Sequence, residues 1–343
     1  MTKLSICIPT YNRIQCLDNC LNSILIAKNN NNFDFEVCIS DNCSKANVKK
    51  LIDRYSSYLG ISFNKNPSNL GLGVNILKAV SLAKGEYIWI LGNDDLLLPN
   101  TFFYLDKLFK DNEIVDFFYI NSFHLDSSLV LNGPKPFDTK DLPNNMKKFS
   151  SYPRSFQGNF FDLVDNKISF DFMLGMFLAV FKKKIWDKNL FRINKNHIED
   201  KKIYSTFDNT APHIIIWSSD FKNSKAYFQS EPLSVNTHGV REWVDLYPFV
   251  ESIRIPEVLD YYRFAGLKLH KYLYYKNFAL RKLFISLIQI YFFKNVNGAK
   301  YINIKKHLIS NLLYPSIYIG FIYFIVRKIF KFIFRIKKKS SYM

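Results

Sequence analysis

The chain has 343 residues, 48% hydrophobic and 17% aromatic, with only 12 Gly and 12 Pro. That is enough apolar surface for one large or two modest folded domains, and it excludes a disordered, collagen-like or linker-dominated chain. The formal charge of +18 points first to nucleic acid or another anionic partner, yet residues 261–343 hold 17 Lys and Arg with no acid, leaving 30 basic and 29 acidic residues before them; the basic signal belongs to one C-terminal segment, whose partner need not be that of the main domain.

Met-Thr-Lys leads straight into an apolar run that reads as a strand at 4–8, so a signal peptide is not expected. Further strands are expected at 35–40, 61–64, 87–91 and 114–120. Between them Ile14, Leu17, Leu21, Ile24 and Leu25, then Val48, Leu51, Ile52 and Tyr55, then Val74, Leu77, Ala79, Val80 and Leu82 recur at helical spacing. Alternation of this kind predicts an α/β, Rossmann-like domain with a parallel sheet and crossover helices, binding its ligand outside the carboxyl ends of the strands. All five cysteines (Cys7, Cys16, Cys20, Cys38 and Cys43) precede residue 44 without zinc spacing, which reads as the reduced thiols of a cytosolic protein. Residues 122–170, with Pro134, Pro136, Pro143 and Pro153, read as loops; order returns at 170–186, a helix is expected at 211–221 and a short strand at 225–229 before Glu231-Pro232. Beyond Pro256 the composition turns aromatic and basic, which places a boundary near 260 between a main domain (1–260) and a helical tail (261–343).

Four strand ends carry polar motifs. The first is Pro9-Thr10-Tyr11-Asn12-Arg13, and the second is Ser40-Asp41-Asn42-Cys43-Ser44. A carboxylate and amide there can bond a base or ribose, and an Arg opening a helix can meet a phosphate, although Asp41 or Asn42 alone reads more simply as a cap or turn residue. The third is Asn69-Leu70-Gly71-Leu72-Gly73-Val74-Asn75, where Ile76 replaces the last Gly of a dinucleotide fingerprint and leaves a loop suited to close backbone approach. The fourth, Gly92-Asn93-Asp94-Asp95, sets two carboxylates side by side. They repel unless hydrogen bonds, a helix N-terminus or a cation compensates, and Mg2+ or Mn2+ shared with substrate phosphates would satisfy both; one capping and one solvated Asp is the plainer alternative.

In order and spacing these segments resemble the GT-A domain of family 2 glycosyltransferases, closely over about residues 3–110 and loosely to about 240. The resemblance implies a nucleotide-sugar donor, with Asp41 at the base, Pro9, Thr10, Tyr11 and Arg13 near ribose and diphosphate, and Asn42, Asn69, Gly71, Asn75, Asn93 and Asp94 lining the same site. It implies a metal at Asp94 and Asp95. Gly92 stands where the family usually has its first acid, as in O-antigen transferases such as abequosyltransferases, and one carboxylate fewer implies weaker metal binding or a lost ribose contact. Inverting transfer also needs a base; Asp208, before a helical run, is the first candidate, with Asp200 and Glu199 as alternatives. His213, one turn further, either packs in the core or meets the acceptor. Asn236 to Trp243 reads as a surface loop or as a lid, in which His238 adds a metal ligand and Arg241 and Trp243 close over the diphosphate. The implied setting is O-antigen, capsule or related surface-glycan assembly on an undecaprenyl-diphosphate-linked acceptor. A nucleotidyltransferase would carry a Gly-rich basic loop after the first strand, which is missing here, and a non-catalytic scaffold would not need all four motifs.

The tail mixes Tyr, Phe, Ile and Leu with Lys and Arg. Its run 312–326 is 15 residues without a charge, broken by Pro315, Ser316 and Gly320 and followed by Arg327, Lys328, Lys331, Arg335 and Lys337 to Lys339. A spanning helix needs about 20 apolar residues, so the expectation is helices lying on the anionic cytoplasmic face of a bacterial inner membrane, peripheral to it; a spanning or re-entrant helix and an oligomer interface are the competing readings. No nucleic-acid-binding fold accompanies the charge, and nucleic acid is not an expected partner.

Overall fold

The computed structural model describes residues 2–239 and 243–340, with side chains as far as 330. Two compact units divide between Arg241 and Glu242, ahead of the composition change near 260, because the helices on both sides of that change pack on one another.

The first unit is built on ten strands: β1 (Leu4–Thr10), β2 (Phe35–Asp41), β3 (Ile61–Lys65), β4 (Tyr87–Ile90), β5 (Leu96–Leu97), β6 (Phe117–Asp126), β7 (Lys147–Lys148), β8 (Phe156–Asn159), β9 (Ala179–Lys182) and β10 (Lys225–His238). They form one sheet in the order β3-β2-β1-β4-β9-β6-β10-β5, with β7 beside β6 and β8 beside β10. The first four strands of that order are parallel, as the sequence pattern predicts, and β6 and β10 are parallel to each other. The antiparallel β9, between β4 and β6, makes the sheet mixed.

Helices α1 (Ile14–Asn29), α2 (Val48–Tyr55), α3 (Leu72–Ser81) and α4 (Thr101–Asp111) are the crossovers. Leu17, Leu21 and Ile24 of α1, Leu51 and Ile52 of α2, and Phe102 and Leu105 of α4 share one core with Ile6, Ile8, Val37, Ile39 and Trp89 of the sheet, while α3 packs on β1 and β2. Fully burying such side chains contributes about 1.5–3 kcal/mol each. All five cysteines are free, and burial pushes the Cys7, Cys16 and Cys20 thiols up.

Several strands outrun their sequence-based limits. Pro9 pairs in register with Ser40 on the β2 side, while β4 stops pairing with β1 at Cys7, so the missing N–H of Pro9 breaks no ladder bond on that side. The strand expected at 225–229 continues to His238 because the register shift between Gln229 and Ser234 absorbs Pro232 in a bulge. Residues 122–170 are mostly loop, with β7, β8 and the short α5 (Ser127–Leu131) inside them. Beyond β9 come α6 (Lys183–Asn189), α7 (Lys195–Ile198), α8 (Phe207–Thr210) and α9 (Pro212–Asp220), the last anchored by Trp217 edge-on against Phe117 and Phe181.

The second unit is helical. Helix α10 (Tyr247–Phe249) runs through a wide turn at Val250–Arg254 into α11 (Ile255–Ala265), followed by α12 (Leu269–Leu280), α13 (Leu283–Phe292) and α14 (Ser316–Ser340). Glu257 is its buried ionic centre, bonded by Arg254, Lys306 and His307; burial alone would raise its carboxyl, but these partners hold it down at about 2. Among the described residues no single helix is long and apolar enough to cross a membrane, but Ile304–Asn311 and Ser316–Phe330 reach that length and composition together, with an 85° bend between them.

Candidate active site

The parallel register puts Thr10 opposite Asp41, so the first two polar motifs emerge side by side at one edge of the sheet. Two tight turns lock together there. Asn12, at φ 50°, donates its N–H to Ser44 Oγ (2.8 Å) and accepts from Lys45 N (2.9 Å); Asn tolerates this left-handed backbone better than most residues. Asp41 is fully buried; its Oδ1 accepts from Ser44 N at 3.0 Å, and its Oδ2 has no partner among the described residues. A buried carboxylate oxygen without a donor is costly and needs a reason.

The amides assigned to the donor site from sequence are spent largely on one another. Asn42 donates to Asn69 Oδ1 (2.8 Å) and Gly71 O (3.2 Å) and accepts from Leu70 N (2.9 Å) and Asn66 Nδ2 (3.1 Å). Asn66 also reaches Asn75 Oδ1 (3.0 Å), and Asn75 donates to Thr10 O (3.3 Å). This network ties the ends of β1, β2 and β3 to the start of α3. Asn66 was missed in the motif reading, though it stands one residue past a strand end, the signal that picked out Asp41.

The glycines of the third motif serve internal packing more than a ligand. A Cβ on Gly73 would lie 2.8 Å from Ile198 Cγ1 and 3.2 Å from Asn209 Cα, and Gly71, at φ 86°, faces Asp200 O and Lys201 Cα. They let α3 sit directly against the segment that holds the base candidates.

The acidic turn sorts its two carboxylates. Asp95, 2% exposed, accepts from Gly92 N (3.1 Å) and Asn236 Nδ2 (2.7 Å) and pins the turn to β10. Asp94 leans on Arg13 at 3.1 Å, and Thr237 Oγ1 donates to its backbone carbonyl at 2.7 Å. Asn93 donates to Thr10 Oγ1 at 2.8 Å, which links the first and fourth motifs. Both carboxylates fold back over Gly92, where a Cβ would meet Asp95 Oδ2 at 2.6 Å and Asp94 Oδ1 at 2.8 Å; any side chain there requires these two carboxylates to shift. Among the described residues no three His, Cys, Asp or Glu side chains gather as a self-sufficient metal cage. The donor set at Asp94, one partly open carboxylate beside the strand ends, fits a hard divalent ion that takes its remaining oxygens from substrate phosphates and water.

The base candidates lie in one compact turn. Asn209 Nδ2 bridges Asp200 O, Lys202 O and Ser205 Oγ, each at 2.9 Å. Asp208 is 6% exposed, accepts from Asn194 N at 2.7 Å and lies 3.3 Å from His197 Nδ1. Asp200 binds Lys202 N (3.0 Å) and Ser205 Oγ (2.7 Å), and Glu199 is exposed.

One open alternative is decided and one reading is corrected. His213 is a core residue, 1% exposed, with its Nε2 2.9 Å from Leu174 O and its ring against Trp217; burial lowers its pKa to about 4. It is too enclosed to touch an acceptor. The expected loop at Asn236 is strand, since Asn236, Thr237 and His238 pair with His124, Leu125 and Asp126 of β6. His238 thus ends a strand beside Asp126, Trp243 belongs to the second unit, stacked on Tyr247 at 6.2 Å, and Arg241 lies outside the described residues.

A mixed sheet of this order, with an acidic turn after its fourth strand and a buried Asp after its second, is the GT-A fold. Two crystal structures of S. aureus TarS 1-349 share it: one has a TM-score of 0.54 at 14% identity, over 84% of this chain and 73% of that one; the other, in complex with UDP, has 0.53 at 16%, over 89% and 77%. At such identity the likeness is one of fold. Residues 5–181 match the model of the family described as Glycosyl transferase family 2, and the chain belongs to that family. It is 45% identical over 103 residues to abequosyltransferase RfbV of Salmonella typhimurium, covering 29% of this chain and 30% of that relative. It is 28% identical over 181 residues to chondroitin synthase of Pasteurella multocida, covering 50% and 18%. The chain matches less than a third of the length of either relative.

Proposed function

We propose that this chain transfers a single sugar from a nucleotide-sugar donor to a growing surface glycan, with inversion at the anomeric carbon. The observation that carries the reading is the pairing of Asp41, a buried carboxylate with one unpartnered oxygen, with the partly open Asp94–Arg13 pair two strands away on the same sheet edge. Asp41 Oδ2 accepts from a base N–H; because that oxygen is covered, nucleotide entry has to shift the turns that Asn12 and Ser44 tie together. Arg13 holds the diphosphate by charge-assisted hydrogen bonds. Asp94 would hold Mg2+ or Mn2+, which would stabilise leaving-group charge. The acceptor hydroxyl forms its bond to the anomeric carbon as the bond to the diphosphate oxygen breaks, and its proton passes to Asp208.

The abequosyltransferase likeness supports a deoxysugar as the transferred group; the acceptor of this proposal is a lipid-linked oligosaccharide. The second unit supports attachment to the cytoplasmic face of the inner membrane, because Phe292, Phe293, Leu313, Ile319, Ile322 and Tyr323 are exposed on a segment rich in Lys and Arg. Membrane attachment raises the effective concentration of a lipid-borne acceptor.

The test is a panel of UDP-, GDP-, CDP- and dTDP-sugars with Mg2+ or Mn2+, with and without EDTA, read by nucleoside diphosphate release and thermal shift. One donor is expected to give metal-dependent release, Asp41→Asn to weaken nucleotide binding about tenfold, a loss of about 1.4 kcal/mol, and Asp94→Asn to slow release by about a hundredfold or more. Silence across the panel with acceptor lipid extract added, or full release by Asp94→Asn, overturns the reading.

A further inference from the structure

We infer that the rings of Phe149, Phe170 and Phe177, with His124 and His238, form a carbohydrate platform that seats the acceptor sugar; the inference rests on the transferase reading above and adds the place where the acceptor binds. The five rings form one connected set. Phe149 stacks on Phe170 (centroids 5.4 Å, 29° apart), meets Phe177 edge-on (5.7 Å) and touches His124 (4.9 Å), which in turn lies 6.1 Å from His238. Phe170 is 38% exposed and His238 is exposed, so the set opens to solvent at both ends. Asp126 is paired in register with His238 and is itself exposed, placing a carboxylate at the rim. A partly exposed phenyl ring beside an acceptor for hydroxyls matches a pyranose, which has one C–H face and an equator of O–H groups; a lipid surface would need no such carboxylate.

The platform adjoins the reacting end of the site. On β10, Asn236 holds Asp95, Thr237 holds the Asp94 carbonyl, and His238 shares a face with Asn236 by the strand's period of two. The base-binding end is elsewhere: Asp41 ends β2, and β1, β4 and β9 intervene before β6, which carries His124. A sugar on these rings therefore lies on the acceptor side of Asp94, away from the nucleoside.

An independent feature fixes the exposed ring. Phe172 and Met173, both fully buried, adopt φ of 53° and 68°, a conformation that costs bulky residues about 1–3 kcal/mol each and persists only where the surroundings over-determine it. Asp171 supplies that constraint, accepting from Ser169 Oγ, Met173 N (3.2 Å) and Gly175 N (2.9 Å), while Leu174 O meets His213. The turn that presents Phe170 is thus rigid before any sugar arrives, which lowers the ordering cost of binding.

The test uses the full chain and saturation-transfer NMR with methyl glycosides of galactose, glucose, mannose, rhamnose and N-acetylglucosamine, alongside thermal shift with UDP, GDP, CDP and dTDP. At least one glycoside is expected to show transfer to its ring protons; Phe170→Ala should cut it at least fivefold, Phe170→Trp should keep it, and the nucleotide shift should be the same in all three proteins. Equal transfer in Phe170→Ala, or no glycoside signal from protein that shows the nucleotide shift, overturns the platform. If no nucleotide shifts the wild-type protein, the transferase reading fails instead, whatever the glycosides do.

Discussion

At the level of single residues, adjacent acids are separated by what surrounds them. Asp94 keeps about a fifth of its side chain open beside Arg13, and an ion pair so exposed contributes at most about 1 kcal/mol. Asp95 is buried and accepts from the Gly92 N–H and the Asn236 amide at the turn. Asp95→Ala is therefore expected to cost about 1–3 kcal/mol, because it strips acceptors from buried donors, while Asp94→Ala leaves stability nearly unchanged and removes turnover. Denaturant unfolding of the two variants, run beside a release assay, separates the roles; equal stability losses would contradict the division. His213 gives a pH signature. Its folded pKa of about 4 lies below the ordinary 6.5, so between those values the unfolded chain binds more protons. Stability is then complete above about pH 6.5 and falls by about 3 kcal/mol as pH drops towards 4. Unfolding free energies measured across that window should show the slope in the wild-type protein and a flatter profile in His213→Phe.

At the level of elements, the close seating of α3 on α7 and α8 positions the base candidates. Gly73→Ala places a methyl group 2.8 Å from Ile198 Cγ1 and 3.2 Å from Asn209 Cα, an overpacking of about 1–3 kcal/mol. The expected result is a lower melting temperature and slower transfer with nucleotide affinity retained, partly rescued by adding Ile198→Ala, which removes the nearest obstacle. Loss of nucleotide affinity in step with turnover would mean that the glycine serves the donor directly. The first four parallel strands and three crossover helices were legible because their apolar residues recur with periods of two and 3.6 over short distances. The length of β10 was not, because Glu231-Pro232 is a local stop signal that only the partner strand β6 can override through a bulge. For the same reason Asn236 and Thr237, which hold the acidic turn, read from sequence as the start of a loop rather than as strand residues. Asp41 and Asp94 were legible as strand-end carboxylates, whereas the Asn42–Asn66–Asn75 network depends on two loops meeting the start of α3, and spacing along one chain does not encode that meeting.

For the whole molecule, the separation of charge between a near-neutral first part and a basic end makes membrane binding testable apart from catalysis. Electrostatic attraction to an anionic surface falls off within a Debye length, about 8 Å at 0.15 M salt and 3 Å at 1 M, whereas burial of exposed side chains such as Leu313, Ile319 and Ile322 does not weaken with salt in that way. The full chain is therefore expected to sediment with phosphatidylglycerol-containing vesicles far better than with phosphatidylcholine vesicles at low salt, and to be only partly released at 1 M. Each Lys or Arg near such a surface contributes about 1 kcal/mol, so Arg327→Gln with Lys328→Gln should lower the partition coefficient by about 2 kcal/mol, roughly thirtyfold, without changing nucleoside diphosphate release from a soluble donor. Ile319→Ser with Ile322→Ser should instead weaken the fraction that resists salt. Equal sedimentation with neutral and anionic vesicles would strike the basic residues from the attachment and leave it to the apolar side chains, whereas none with either would remove the membrane from the account and assign the apolar face of the second unit to another copy of the chain, which sedimentation velocity would then show as a dimer.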